Sequence, residues 1–361
     1  MTLHPRRGVE DLESCYHGGP NYSELEVCGL SLEEVLDFSA NTNPFGPPPG
    51  VREVLFEVDV SQYPDSNATE LRRSLASNLG VSLENIIVGS GSTELLRLIA
   101  LAYLEQDDLA AIVEPTFGEY EASCRVVGAS IVKDTLRAED GFQMRVKQVA
   151  SLIERHSPKV VFVCNPNNPT GRYLLQGHVE EILNAADNSL VVLDEAYVAF
   201  VDDAWSSIDM IDRDNLVVIR SMTKDFALAG LRVGYAVAHK QVIGVLKRVC
   251  PPWNVNAAAL KAAVIALESE DYLDQCAVKL KEAKHYLVEA LTNLGFVIVP
   301  SSANFFLMEV EDTAGFRHAL LGRGILVRDC TSFGLPQYVR IAPRNMPECQ
   351  RLVKAIEEMG R

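Results

Sequence analysis

The sequence lacks the features that mark several specialised classes of protein. It contains no run of Lys or Arg residues, no C-x-x-C pair and no apolar stretch near the roughly 20 residues that cross a bilayer. Lys and Arg total 33 against 49 Asp and Glu, a formal net charge of -16 at pH 7. Because a surface of that sign repels nucleic-acid phosphates and anionic lipids, we expect neither a nucleic acid nor a membrane as a partner.

The cysteines and the N-terminus point to a reducing compartment. Eight cysteines are scattered without a pairing pattern, and a chain of 361 residues needs no disulfide staples. No apolar segment follows the N-terminal Met-Thr-Leu-His-Pro-Arg-Arg, so no secretory signal is visible. We therefore predict free thiols, a cytoplasmic location and no bound metal.

The length predicts about two domains, and the apolar pattern indicates where the first one lies. Between residues 51 and 250, short runs rich in Val, Ile and Leu alternate with amphipathic stretches such as 93–104. This alternation predicts an α/β domain with a mostly parallel sheet that is covered on both faces. The predicted strands are 86–88, 109–113, 160–164, 190–193, 216–219 and 233–238.

After Pro251 the pattern changes and predicts a second, smaller domain of α+β type. The predicted elements are helices over 256–267, 271–294 and 313–322 and strands over 296–299, 305–309 and 338–342. Residues 1–50 are rich in Pro and Gly and too short to fold alone. We expect them to pack on residues 251–361, so that both segments form the small domain.

Four polar segments follow predicted strands of the larger domain. They are 89–94, 165–171, 194–197 and 220–224. Ligands of an open parallel sheet bind beyond the carboxyl ends of its strands, so these segments should meet at one site. The first of them, Gly-Ser-Gly-Ser-Thr-Glu, opens a helix and suits either a bound phosphate or a plain strand–helix turn.

Two side chains in these segments carry distinct chemistry. Lys224 follows a buried strand, where low-dielectric surroundings favour the neutral amine that can form a Schiff base. A lysine on a solvated turn is the alternative. Asp194 can cap a helix, or it can hold a protonated pyridine nitrogen through a charge-assisted hydrogen bond. Arg232, eight residues after the lysine, can complete a phosphate site that begins at Ser92.

The motifs NPNNPTG (165–171), DEAY (194–197), SMTK (221–224) and AGLRVGY (229–235), in this order, resemble the fold type I aminotransferase family that depends on pyridoxal phosphate. The resemblance runs from about Asp37 to the C-terminus. It implies the fold of that family, pyridoxal 5'-phosphate as the cofactor, and a small amino acid or amine as the substrate. It also implies a homodimer, in which Tyr63 reaches the cofactor phosphate of the partner subunit.

The resemblance further implies a role for each matching residue. Lys224 would carry the cofactor and move a proton, with Asp194 on the pyridinium nitrogen; these two and Tyr197 are the predicted catalytic residues. Asn168 and Tyr197 would hydrogen-bond the phenolic oxygen of the ring, and Phe117 would stack on its face. The residues that would hold the cofactor phosphate are Ser92, Thr93, Ser221, Thr223 and Arg232.

Two branches of this family fit the sequence. NPFG (43–46) resembles the histidinol-phosphate aminotransferases, whereas HGG (17–19), FSAN (38–41) and RDC (328–330) resemble the L-threonine-O-3-phosphate decarboxylases. We therefore predict decarboxylation of O-phospho-L-threonine to (R)-1-aminopropan-2-yl phosphate and CO₂, a lyase reaction of cobalamin synthesis. The alternative is transamination of histidinol phosphate with 2-oxoglutarate, a step of histidine biosynthesis.

In the decarboxylase interpretation, the substrate is bound by His17, Gly18, Asn41, Asn168, Arg328 and Arg340. Which arginine holds the phosphate and which the carboxylate stays open. Arg344 is a weaker candidate that can instead pair with a surface acid. A regulator of the same fold is a third hypothesis, but such regulators carry a fused DNA-binding module, for which this chain has neither the spare length nor the positive charge.

Overall fold

One large sheet organises the longer part of the chain in the computed structural model, which describes residues 4, 6–10, 12 and 15–360. The strands are β1 (Leu36–Asp37), β2 (Ile86–Gly89), β3 (Leu109–Glu114), β4 (Ser130–Thr135), β5 (Val160–Cys164), β6 (Leu190–Asp194), β7 (Leu216–Ser221), β8 (Gly234–Ala238), β9 (Phe306–Glu309), β10 (Ile325–Leu326), β11 (Arg328–Asp329) and β12 (Tyr338–Ile341). The large sheet has the order β2-β8-β7-β6-β5-β3-β4. Its pairs are parallel except those that β8 makes with β2 and β7. The predicted α/β fold with a mostly parallel sheet is confirmed.

Helices cover both faces of this sheet. The helices of the described residues, over both units, are α1 (Arg7–Glu10), α2 (Tyr22–Val27), α3 (Val51–Leu55), α4 (Thr69–Leu79), α5 (Ser92–Tyr103), α6 (Glu119–Val127), α7 (Val146–His156), α8 (Gln176–Ala185), α9 (Lys240–Val249), α10 (Ala257–Leu267), α11 (Glu270–Asn293), α12 (Thr313–Leu321) and α13 (Met346–Met359). In β5, Val161 and Val163 pack in one core with α4, α7, α8 and α10. Val160 and Phe162 pack in a second core with α5, α6 and α9. Because both faces are covered, the strands are continuous apolar runs.

Two elements differ from the prediction made from the sequence. β4 lies at the edge of the sheet, and its exposed Ser130, Lys133 and Thr135 interrupt the apolar run by which the other strands were found. The predicted strand 296–299 forms a single isolated bridge, between Ile298 and Met308. Pro300 follows, and because it has no N–H group the pairing ends there.

A smaller layered unit follows the large sheet. β9, β11 and β12 form an antiparallel sheet that packs with α11, α12 and α13. β1 pairs with β10, and Phe38 is fully buried in the core of this unit. In contrast, α10 packs against α3 and α4, and its alanines lie in the core of the large sheet. We therefore propose that the boundary between the two domains lies after α10 rather than at residue 251.

The thiols bear on the predicted reducing compartment. All eight cysteines are free. Burial raises the pKa of Cys124 and of Cys164 to about 12, which makes both thiols unreactive. In the described part of the chain, no helix has both the length and the apolar content to span a bilayer.

Candidate active site

A cavity of about 860 Å³ opens where the predicted polar segments meet, beyond the carboxyl ends of β2, β5, β6 and β7. The predicted site residues on its wall are His17, Gly18, Asn41, Ser92, Thr93, Phe117, Asn168, Asp194, Tyr197, Thr223, Lys224, Arg232, Arg328 and Arg340. Ser221 lies beside the wall, with its Oγ 2.7 Å from Oγ1 of Thr223. Tyr63 lies elsewhere on this chain: it is 79% exposed and stacks on Trp253.

One end of the cavity is built to receive an anion. Gly91 is the N-cap of α5 and has φ 76°, and the first N–H groups of that helix have no intrahelical acceptor. A Cβ at Gly91 would lie 2.6 Å from Nη2 of Arg232, so glycine lets the guanidinium approach the helix start. Ser92 and Thr93 add hydroxyl groups on the same wall. Helix dipole, hydroxyls and a cation together suit a phosphate.

Asp194 ends β6 and is nearly fully buried. Its Oδ2 accepts a hydrogen bond from Tyr120 Oη at 2.8 Å, and its Oδ1 accepts one from Ala196 N at 3.0 Å. Burial raises the pKa of Asp194, while these two donors and the charge of Lys224 act in the opposite direction. A carboxylate held in this way is suited to a buried cationic partner.

Lys224 lies three residues after the end of β7 and is half-buried in the cavity. Removal from water, together with the charges of Arg340 and Arg232, lowers its pKa to about 8. Its backbone is fixed, because Asn43 N donates to the Lys224 carbonyl at 2.8 Å and Asn43 Nδ2 donates to the Asp225 carbonyl at 3.0 Å. The site therefore holds an amine that is neutral, and hence nucleophilic, in mildly basic solution.

Aromatic side chains and an amide complete the wall near Asp194. Tyr197 is buried, its Oη accepts from Asn41 Nδ2 at 3.2 Å, and its ring meets Phe305 edge-on. Burial raises the pKa of Tyr197 to about 12, so this hydroxyl keeps its proton. Phe117 follows β3 by three residues and meets the Tyr120 ring edge-on at 5.7 Å.

Arg340, on β12, brings a cation from the smaller unit to the cavity. Its Nη1 donates to Oδ1 of Asn168, and its Nη2 donates to the Ser39 carbonyl at 2.7 Å. Its Nε is buried and has no partner among the described residues. The predicted residue Asn168 thus contacts the predicted substrate arginine directly.

Arg328, on β11, is held between two rings. Its guanidinium carbon lies 4.3 Å from the centre of Tyr16 and 5.2 Å from that of Phe333. Its Nη2 donates at 2.7 Å to the Tyr16 carbonyl and to Ser332 Oγ. Burial lowers the pKa of Arg328 to about 10, with Arg340 adding to the effect. The cation stays charged at neutral pH and is oriented by its neighbours.

The N-terminal segment forms part of the same wall. His17 Nε2 lies 3.1 Å from Oε1 of the buried Glu119, and the His17 ring lies 5.7 Å from that of Phe117. At Gly18, a Cβ would overlap the Ser39 carbonyl oxygen and lie 3.3 Å from Arg340 Nη2. Residues 16–18 therefore contact both the large sheet's helix α6 and the smaller unit.

The structure also identifies site residues that were not predicted from the sequence. Glu119 holds His17, Tyr120 holds Asp194, and Tyr16 holds Arg328. Glu119 and Tyr120 belong to the same Pro-Thr-Phe-Gly-Glu-Tyr segment as Phe117. Their polar groups, two and three residues after the predicted ring-stacking residue, are the feature from which they could have been predicted. Arg344, by contrast, pairs with Glu348 at 2.9 Å and does not line the cavity.

The donor set fits pyridoxal phosphate. The anion pocket at the start of α5 matches its phosphate, the amine of Lys224 matches its aldehyde, and the carboxylate of Asp194 matches its pyridine nitrogen. The absent side chain at Gly91 is the clearest sign, since a Cβ there would displace Arg232 from the phosphate pocket.

The fold and this site define a pyridoxal-phosphate-dependent enzyme of fold type I. The chain belongs to the aminotransferase class I and II family, whose model matches residues 33–356. The histidinol-phosphate aminotransferase of Moorella thermoacetica is 35% identical over 338 residues, which are 91% of this chain and 86% of that protein.

Solved structures show the same fold. The histidinol-phosphate aminotransferase of Sinorhizobium meliloti, in complex with pyridoxal-5'-phosphate, has a TM-score of 0.88 at 22% identity, over 100% of this chain and 99% of that one. The L-threonine-O-3-phosphate decarboxylase of Porphyromonas gingivalis has a TM-score of 0.77 at 28% identity, over 89% of this chain and 98% of that one. Family, fold and cofactor are confirmed. Between the two predicted reactions, the comparisons favour the alternative, transamination, over decarboxylation.

Proposed function

We propose that this enzyme transfers the amino group of a small phosphorylated amine, with histidinol phosphate as the donor and 2-oxoglutarate as the acceptor. The observation that carries the proposal is the pair Arg328 and Arg340, which line the cavity and form no ion pair with an acid among the described residues. Two such guanidinium groups suit a phosphate or a dicarboxylate. The 35% identity to a histidinol-phosphate aminotransferase supports this choice of substrate.

In this proposal the phosphate of the cofactor is held by Ser92, Thr93, Ser221, Thr223 and Arg232. Asp194 holds the pyridine nitrogen, Asn168 and Tyr197 hold the phenolic oxygen, and Phe117 covers one ring face. When bound, pyridoxal phosphate supplies an aromatic ring that accepts the electron pair of a bond broken at the substrate Cα.

The chain's own groups then handle protons and orientation. Lys224, with a pKa of about 8, moves a proton at the substrate Cα, and Tyr197, with a pKa of about 12, stays protonated and donates a hydrogen bond. Arg340 lines the cavity, where its guanidinium group can bind an acidic group of the substrate. Because a phosphate and a carboxylate both accept from a guanidinium, the same two arginines can serve the amine in the first half-reaction and the 2-oxo acid in the second.

Decarboxylation of O-phospho-L-threonine is the second candidate, and a specific observation favours it. The segment 16–18 lies against Arg328, Arg340 and Glu119, which narrows the substrate end of the cavity and suits a compact substrate. A substrate that carries both a phosphate and a carboxylate would occupy both arginines at once. Which bond at Cα breaks then depends on which one stands perpendicular to the ring, a matter of positioning.

One experiment separates the two reactions. The cofactor-loaded enzyme is given histidinol phosphate with 2-oxoglutarate, or O-phospho-L-threonine without any 2-oxo acid, and glutamate and CO₂ are measured. Glutamate formed over many turnovers supports the first proposal, and sustained CO₂ release would assign the second. Lys224→Ala is the control, because it should abolish either reaction. An enzyme that forms neither product contradicts both proposals.

We also propose a homodimer in which Tyr63 reaches the cofactor phosphate of the partner subunit. Phe56, Val60 and Tyr63 are 93%, 92% and 79% exposed, an apolar segment that association would cover. Light scattering at micromolar concentration should give twice the mass of 39.7 kDa. A cytoplasmic location remains a proposal supported by the free thiols.

A further inference from the structure

Tyr120 is a fully buried side chain behind the cavity wall. It is the second residue of α6, and it is absent from the cavity lining. Its ring stacks on Phe162, with centres 5.2 Å apart and planes 14° apart, and Phe117 meets it edge-on at 5.7 Å and 83°. Contacts from two rings fix the direction of its hydroxyl group.

That hydroxyl is directed at the carboxylate expected to hold the cofactor nitrogen. Tyr120 Oη donates to Asp194 Oδ2 at 2.8 Å, and Ala196 N donates to Oδ1. Burial raises the pKa of Tyr120 well above its usual value, so the group remains a donor. The same burial raises the pKa of Asp194, and the Tyr120 bond is the largest effect that opposes it.

We propose that Tyr120 is a positioning residue that keeps Asp194 charged and oriented, so that the carboxylate holds a proton on the pyridine nitrogen of the bound cofactor. The reasoning is a proton balance. Asp194 and the ring nitrogen compete for one proton, and a hydrogen bond donated to the carboxylate stabilises its charged form. Without that bond, the proton moves from the nitrogen towards Asp194, and the ring becomes a weaker electron acceptor. The inference concerns the cofactor site, which both candidate reactions share.

The test uses the Tyr120→Phe enzyme loaded with cofactor that carries ¹⁵N in its ring, without substrate. The ¹⁵N chemical shift reports the protonation of that nitrogen directly across a pH titration. Because the proton passes to Asp194 and not to solvent, we expect the ratio of protonated to unprotonated ring nitrogen, read from the ¹⁵N shift at neutral pH, to fall by about tenfold. The dissociation constant of the cofactor, measured by equilibrium dialysis, should rise by a similar factor. Because no turnover is needed, the result is independent of which reaction the enzyme catalyses.

Two further variants make the outcome decisive. Tyr173→Phe is the matched control, because it removes a buried hydroxyl that does not donate to Asp194. It should leave the ¹⁵N titration unchanged. 3-Fluorotyrosine at position 120 has nearly the same shape as tyrosine but a more acidic hydroxyl. It should therefore move the ¹⁵N chemical shift in the direction opposite to that of Tyr120→Phe. This variant keeps the test decisive even if Tyr120→Phe folds poorly. Equal shifts in Tyr120→Phe and Tyr173→Phe, or no shift with either replacement at 120, would overturn the proposal.

Discussion

Replacing Gly18 by Ala tests whether the N-terminal segment helps to form the substrate site. The new Cβ would overlap the Ser39 carbonyl oxygen and lie 3.0 Å from the Ser39 carbonyl carbon. Both atoms are backbone, so the segment must move. Restoring an ordinary carbon–oxygen contact requires a shift of about 1 Å.

That shift would break a hydrogen bond of Arg328. The bond from Arg328 Nη2 to the Tyr16 carbonyl is 2.7 Å long, and a displacement of about 1 Å places the two atoms beyond hydrogen-bond distance. A hydrogen bond to a charged group contributes about 1.5–3 kcal/mol. Since each 1.4 kcal/mol is a factor of ten, we expect KM for the phosphorylated substrate to rise by at least about tenfold, with kcat less affected.

The assay is steady-state kinetics beside Gly177→Ala, the matched control. Gly177 lies in α8, and a Cβ there would meet no atom within 4 Å, so its kinetics should equal those of the parent enzyme. Cofactor absorbance should be normal in both variants. A Gly18→Ala enzyme with KM within twofold of the parent value would refute the reasoning, since segment 16–18 would then have no part in binding.

Three further predictions follow from the same site. In the apo-enzyme, the rate at which Lys224 binds the cofactor covalently should rise with pH and level off above about pH 8, because the neutral amine is the reactive form. Stopped-flow absorbance measures this rate. A midpoint above pH 9.5 would contradict the lowered pKa of Lys224. Glu119→Gln should raise KM several-fold, since the buried carboxylate no longer holds His17; the exposed Glu139→Gln is its kinetic control, expected to change nothing. Arg344→Ala should leave kcat and KM within twofold of the values of the parent enzyme, because Arg344 pairs with Glu348 outside the cavity. Steady-state kinetics measures both values.

The large sheet could be predicted from the sequence because its strands are buried on both faces. Every residue of β5 and β6 is buried, and all except Asp194 are apolar, which produces an unbroken apolar run that is visible in the sequence. β4 could not be found in this way, because Ser130, Lys133 and Thr135 are exposed polar residues that interrupt its apolar run. The strand predicted at 296–299 failed for a different reason: the apolar run is present, but Pro300 limits its pairing.

Some residues of the site could also be predicted from the sequence, and others could not. Lys224 and Asp194 could be predicted, because each stands in a local motif at or just beyond the end of a strand, and the topology of a parallel sheet brings strand ends together. Arg232 belongs to the motif that follows Lys224 in the sequence. Tyr120, Glu119 and Tyr16 act instead through partners 74, 102 and 312 residues away. Such pairings depend on how α6 and the N-terminal segment pack on the sheet, which no local spacing encodes. A choice between two reactions that share one cofactor depends on those same distant contacts, because they set how the substrate is oriented above the ring. The variants at Gly18, Glu119 and Tyr120 therefore probe the part of the site that local sequence motifs do not determine.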